Sequence, residues 1–401
     1  MRKLVLAVVL AVVLIAVAAE ARGAPYRPDW ACDGTPIYPG DDLDAAINSD
    51  PAGTATTFCV YAGTYPVDDQ VTVDDGDRIL GEPGTLTRRG PAVDPDPVVR
   101  VLNSGGLTRI MNVMAQTGRI EWLDVSGASA GYTNDTPPSC INWGEATNRC
   151  PANGTGMAIG AGESGAAFVF EHLELHDNAA NCVTGVKGRL LESDLYRCSS
   201  NADYYGFSAG ALKTTFASEI ARLYVHDNEA VGLWCDQGCH DVAAQPHGFW
   251  VHDNLVVDNG RAGVRYEFAP MAKDARPPQP TALIENNLLA GNGWGGVDVH
   301  DAQNATVRGN AFGPMTVAGV EYPHNGSGPE AIQFSEGDRT DLLNAEAYGN
   351  DLGGEAIDGC VEHANTKKVH CHDNTHAKSG GLRELIGYLK GYLKDTIGEL
   401  V

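Results

Sequence analysis

Aromatic residues are scarce, at 7% of 401 residues, and lysine plus arginine number 28 against 52 aspartates and glutamates. A formal net charge of −24 argues against nucleic acid and anionic membranes as partners. It also constrains any polysaccharide partner. An anionic polymer needs a local basic patch or a bridging cation, whereas a neutral glycan needs neither. Long apolar runs are missing after the N-terminus, so no membrane span is expected in the mature chain. The one such run, Leu4 to Ala19, follows Arg2-Lys3 and ends at Ala19-Glu20-Ala21. This is the pattern of a secretory signal peptide over residues 1–21, with an uncleaved anchor as the alternative. The expected location is extracellular or on the cell surface.

Helical periodicity is nearly absent too, and glycine is abundant, with 48 residues. Ten cysteines fit an oxidising compartment. Cys140 and Cys150, Cys182 and Cys198, Cys235 and Cys239, and Cys360 and Cys371 are close neighbours, which leaves Cys32 and Cys59. The spacing alone does not fix the connectivity.

Short apolar stretches separated by Asn, Asp and Gly fill the middle of the chain. Three align: "HDNEAVGLWCD", "VDNGRAGVRYE" and "AGNGWGGVDVH", which place Gly232, Gly263 and Gly296 in one phase. Repeats of this kind, rich in short strands and Asn/Gly turns, indicate a solenoid. With so little helix, the expected fold is all-β: a single-stranded right-handed parallel β-helix over residues 25–376. Asparagine suits the turns because it tolerates left-handed backbone and bonds its own chain, and its side chains can ladder between rungs. "DDLDAAIN" (41–48) reads as a short helix plugging the N-terminal end. Residues 379–401 place Leu382, Leu385, Ile386, Leu389 and Leu393 at helical spacing, for a cap or an attachment helix.

From about Tyr38 to His376 these features resemble the pectate-lyase-like superfamily of right-handed parallel β-helices. "YPGDDLDAAIN" with "TTFCVYAGTYPV" is similar to the N-terminal entry of such proteins, and "VHDNEAVGLWCDQGC" to the core repeats of a secreted bacterial branch. The resemblance implies the fold, and its members range from lyases, hydrolases and epimerases to non-catalytic adhesins. Motifs of particular members are incomplete. Ser208-Ala209-Gly210 follows Tyr205-Gly206-Phe207 where mannuronan epimerases carry D-P-H, and Gln237 follows "LWCD" where pectate lyases carry His. The polygalacturonase set is absent apart from D-D pairs near the N-terminus.

Strand alternation makes a more specific prediction. Leu233, Cys235, Val264, Tyr266, Val297 and Val299 should point inward. Trp234, Arg265 and Asp298 should form one outward column, and Asp236, Glu267 and His300 a second, together an exposed patch. Trp234 offers a platform for a sugar ring, with Arg265 as a second substrate contact. Asp236, Glu267 and Asp298 suit Ca²⁺, which prefers oxygen ligands. Lys213 or Arg265 is the candidate base for abstracting a proton at a uronate's carbon 5, with His300 a third candidate catalytic group. The leading expectation is a polysaccharide lyase assisted by Ca²⁺. The alternatives are a non-catalytic surface binder and a glycoside hydrolase using Asp236 and Glu267.

His-Asp-Asn occurs at 176–178, 226–228, 252–254 and 372–374. The second and third copies fall at different distances from their phase glycine. They therefore belong to different turns, and the expectation is that Asn supplies turn structure rather than a shared site.

Overall fold

The computed structural model describes residues 30–51, 53–129, 156–162, 164–199, 210–236, 239, 248–267, 281–313, 330–335, 343–352, 360–362 and 367–375. The expected signal peptide (1–21), the expected C-terminal helix (379–401), Cys140, Cys150, Tyr205-Gly206-Phe207 and Gln237 lie outside these.

Each turn of chain contributes three short strands, one to each of three parallel sheets. Among the described residues the sheets hold twelve, nine and ten strands. One turn, for example, runs through Ser218–Ala221, Tyr224–His226 and Val231–Asp236, and the next through Phe249–His252, Leu255–Val257 and Val264–Glu267. Every neighbouring pair in these sheets is parallel, and the coil is a right-handed parallel β-helix. Its interior is filled by alternate residues: Leu233, Cys235, Val264, Tyr266 and Val299 are fully buried and Val297 nearly so. The inward half of the strand prediction therefore holds.

Two corners are tight. The corner from the twelve- to the nine-stranded sheet is turned by a left-handed residue, such as Arg222, Asp253 or Asn286 (φ 57°, 55° and 56°). Asp227 and Asp258 turn the next corner (φ 52° and 55°). In all four His-Asp-Asn copies it is the aspartate that adopts positive φ. This corrects the expectation that asparagine supplies the left-handed turn.

The asparagines form ladders instead. In one, Asn254 Nδ2 donates to Asn287 Oδ1 (2.8 Å), Asn287 to Asn310 (2.9 Å), Asn310 to Asn350 (3.0 Å) and Asn350 to Asn374 (2.9 Å). In the other, Asn228 donates to Asn259 (2.8 Å) and Asn259 to Asn292 (2.9 Å). The second and third His-Asp-Asn copies thus sit in different ladders, as their phase required. The phase glycines have a steric cause. A Cβ on Gly232 would lie 2.6 Å from the Gly263 carbonyl oxygen, and one on Gly263 would lie 2.8 Å from Asn292 Nδ2.

A six-residue helix, Leu43–Asn48, forms where expected and is N-capped by Asp42. Leu43 and Ile47 enter the core. Asn48 bonds the Gln70 carbonyl and the Thr72 amide, beside the terminal strand of the ten-stranded sheet. Disulfides join Cys32 to Cys59, Cys182 to Cys198, Cys235 to Cys239 and Cys360 to Cys371.

Among the described residues one element breaks the parallel pattern. Thr85–Arg89 and Ala92–Asp96 form an antiparallel hairpin that leaves the coil. Val93 donates to the Arg222 carbonyl (3.0 Å) and bridges Leu223, strapping the hairpin to the outside of the nine-stranded sheet. Ala92 is buried there among Leu255, Val257, Leu288 and Ala290.

Candidate functional site

Long insertions of the sequence, such as 200–209 and 314–329 before it and 268–280 after it, join strand ends of the ten-stranded sheet. This sheet carries both expected columns. Lys213 pairs in register with Trp234, Trp234 with Arg265, and Arg265 with Asp298. Asp236 pairs with Glu267, and Glu267 with His300. All seven candidate residues share one outward face of the coil on four successive strands.

Their exposure differs from expectation. Trp234 is 4% exposed, Arg265 8%, Glu267 5%, Asp298 3% and His300 6%. The patch points away from the coil and is nonetheless covered, so it is closed rather than open. The least buried side chains are Lys213 and Asp236, at 17% and 13%. The closed patch is dense in charge. Lys213 Nζ lies 3.9 Å above the Trp234 ring, and Arg265 stands on the same indole at 5.7 Å. Lys213 pairs with Asp236 (2.9 Å), and Arg265 with Glu267 (2.7 Å) and Asp298 (3.5 Å). Burial pushes the Glu267 carboxyl above its ordinary range, against the pull of Arg265. Among the described residues, Trp234 Nε1 and Asp298 Oδ1 are buried without a hydrogen-bond partner.

Asp236, Glu267 and Asp298 are each turned onto a side-chain cation and do not gather as a ligand set. Among the described residues, the group of three ligand atoms within 4.8 Å of one another is Glu171, His172 and Glu192, elsewhere on the coil. There Arg119 and Arg222 already pair with the two glutamates. The same contacts tie up the Asp236–Glu267 pair that a glycosidase would need.

The histidines of His-Asp-Asn have a repeated role that the sequence did not reveal. His176 Nδ1 meets Asp177 (2.6 Å), and its Nε2 meets Asp124 one rung earlier (2.9 Å). His226 is held by Asp227 (2.7 Å) and Asp194 (3.2 Å), and His252 by Asp253 (2.8 Å) and Glu219 (3.5 Å). Each imidazole clamps one rung to the previous one. Burial alone would lower these imidazole pKa values, but the hydrogen bonds and charges of the flanking carboxylates raise them.

A pH dependence follows. Groups whose pKa is raised on folding stabilise fully below their unfolded pKa, and that stability is lost as pH rises through the folded value. The three histidines behave so from 6.5 upward, as do Glu174 and Asp194, raised by burial to about 7 and about 6. Asp177, lowered to about 2 mainly by Arg197, and Glu219, lowered to about 2 mainly by His252, oppose this only below about pH 4. The thermal midpoint should therefore be higher near pH 5 than near pH 8. A midpoint that climbs across that interval, in scans at constant ionic strength, contradicts the assignment.

No family model and no curated protein matches the chain. Solved structures share its course. An alginate lyase from Paenibacillus sp. str. FPU-7 is 13% identical, with 85% of this chain and 99% of that one covered and a TM-score of 0.49. The Azotobacter vinelandii mannuronan C-5 epimerase AlgE4 A-module is 14% identical, with 86% and 93% covered and a TM-score of 0.44. Pectin methylesterase PemA from Erwinia chrysanthemi is 11% identical, with 65% and 80% covered and a TM-score of 0.34. By its own strand register, the chain is a right-handed parallel β-helix protein.

Proposed function

We propose that the protein is an exported carbohydrate-active enzyme that cleaves a uronate-containing polysaccharide by β-elimination on the ten-stranded sheet. One observation carries the reading: the indole of Trp234 held between Lys213 and Arg265, with carboxylates and His300 on the adjoining positions. Buried charge clusters add little stability, so their presence favours a functional role. In a chain of net charge −24, Lys213 and Arg265 are the side-chain cations of this face that the carboxylates of an acidic polymer would meet. The four disulfides support export to an oxidising compartment.

In this reading the residues divide the work. Solvent approaches at the Lys213–Asp236 end. The substrate carboxylate takes the place of Glu267 on the Arg265 guanidinium, whose fork suits it. Glu267, already biased by burial towards protonation, takes up a proton. His300 accepts the proton from carbon 5, the bond from carbon 4 to the leaving oxygen breaks, and Glu267 protonates that oxygen. A double bond between carbons 4 and 5 remains. Side-chain cations neutralise the uronate, and no step runs through calcium.

Incubation with a panel of uronate polysaccharides should yield the ultraviolet absorbance of an unsaturated product, undiminished by a chelator. No absorbance on any uronate sinks the reading, and binding without product would make the protein a non-catalytic binder. Loss of activity on chelation would restore the Ca²⁺ assignment.

A further inference from the structure

The outward column that holds Lys213, Trp234 and Arg265 continues towards the N-terminal end of the ten-stranded sheet. Lys213 pairs in register with Thr184, Thr184 with Gly160, and Gly160 with Asn112. Gly160 has no side chain, and the space above it is taken by a residue from the rung before. A Cβ on Gly160 would lie 2.7 Å from Arg109 Nε, 2.8 Å from its Cδ and 3.1 Å from its Cζ. Arg109 opens the strand Arg109–Val113, and its guanidinium thus lies across the rung of Gly160, on the same face as Lys213. Its Nη1 donates to Asn112 Oδ1 (2.8 Å), which fixes its direction.

Arg109 differs from the cations further along. Lys213 is paired with Asp236, and Arg265 with Glu267 and Asp298. Among the described residues Arg109 has no carboxylate partner, and its side chain is held by the neutral amide of Asn112. In a chain with 52 acidic residues against 28 basic ones, this half-buried arginine keeps an uncompensated charge and most of its fork of N–H donors for an anion from outside. Its position is regular too. Adjacent strands lie about 4.8 Å apart, so the guanidinium over Gly160 stands about 10 Å from Lys213, and Lys213 about 10 Å from Arg265. That interval is close to the length of a disaccharide. Between Arg109 and Lys213 the face is floored by Gly160 and the half-buried Thr184.

We propose, resting on the uronate reading of this face, that Arg109 is a further substrate-binding residue, a distal subsite for a carboxylate, and that the polymer it takes carries a carboxylate at least once per disaccharide. The sugar whose bond breaks presents its carboxylate to Arg265. The chain then follows the coil axis past Trp234 and Lys213, and a sugar two rungs beyond Lys213 presents its own carboxylate to Arg109. Asn112 and Gly160 are positioning residues here. Asn112 aims the guanidinium, and Gly160 lets it lie close to the sheet, since any side chain there would lift it away. A polymer whose carboxylates are spaced more widely than one per disaccharide cannot meet Arg265 and Arg109 in this register.

The test is calorimetric binding of the full chain to polygalacturonate and to alginate, and to the same polymers with their carboxyls reduced, run beside the elimination assay. Arg109→Gln should weaken binding of an acidic polymer at least about 10-fold at low salt and flatten its salt dependence. Gly160→Ala keeps the arginine but displaces it, and should show much of the same loss with its circular dichroism unchanged. Arg78→Gln removes the same charge from an exposed position on the twelve-stranded sheet and should bind as the wild type does. Where product forms, the loss in Arg109→Gln should fall on KM, and should be larger for long oligouronates than for the shortest one cleaved. Binding that depends on Arg109 without unsaturated product upholds the subsite and removes the elimination reading. Equal binding by the wild type and Arg109→Gln, an equal loss in Arg78→Gln, or no binding of either acidic polymer by the wild type would overturn the proposal.

Discussion

Asn287→Ala should lower the unfolding free energy by about 4 kcal/mol. Its side chain makes four hydrogen bonds inside the wall of the coil. Oδ1 accepts from the Asn254 amide (3.0 Å) and from Asn254 Nδ2 (2.8 Å). Nδ2 donates to the Val251 carbonyl (3.1 Å) and to Asn310 Oδ1 (2.9 Å). Asn254 is wholly buried and Asn287 is 2% exposed, so water does not replace these partners. Each stranded buried group costs about 1–3 kcal/mol, more than the net worth of the bond. Asn259→Ala in the second ladder should behave alike: Asn259 Oδ1 accepts from Asn228 Nδ2, and its Nδ2 donates to Asn292 Oδ1 and to the Val225 and Val257 carbonyls. Urea unfolding followed by circular dichroism reads both. A cost under about 1 kcal/mol for either would mean that the ladders are accessory.

The second large effect belongs to Arg265. Arg265→Leu removes the cation shared by Glu267 and Asp298, whose side chains are 7% and 5% exposed. Breaking a buried pair in this way costs about 3–5 kcal/mol, because a charge is left buried without compensation. Glu267 then has burial acting on it without its main opposing partner, and its pKa rises further. A raised carboxyl is stabilising below its unfolded pKa and loses that contribution as pH rises through the folded value. The deficit of Arg265→Leu should therefore be smaller near pH 5 than near pH 8, and the double variant with Glu267→Leu should recover much of it. A deficit that is flat with pH would assign the loss to packing. Arg265→Lys keeps the charge but not the fork, and should retain stability better than turnover on uronate polymers.

The parts of this architecture that were legible in the sequence are those set by local period. Gly232, Gly263 and Gly296 gave the rung phase, and two-residue alternation gave the true columns of Trp234 and Asp236. The same phase separated Asn228 from Asn254, which do lie in different ladders. What escaped depends on contacts between distant segments. The burial of Trp234 is not written in "GLWCD". The clamp between His176 and Asp124 spans 52 residues. The hairpin meets Leu223 across more than a hundred residues, and nothing in "TLTRRGPAVDPD" names that partner. In the His-Asp-Asn copies the aspartate takes the left-handed turn and Asn228 and Asn254 ladder between rungs, and neither role points to the strand before the turn. Glu174, Asp194 and Tyr196 stand there, and a count of outward positions in "ELH" and "DLY" would have found them.

The Asn254 ladder also has a bearing on how such a chain can change. Its successive members are separated by 33, 23, 40 and 24 residues, yet the bonds between them stay between 2.8 and 3.0 Å. The ladder records the number of turns and is indifferent to the length of each. Extra residues accumulate at the ends of strands in the ten-stranded sheet, where they leave the hydrogen bonding of the wall untouched. Segments can thus be lengthened, deleted or exchanged around Trp234 and Arg265 one turn at a time, without renegotiating the scaffold. A grafted loop at 268–280 should be tolerated where a single residue inserted between Asn286 and Asn287 is not.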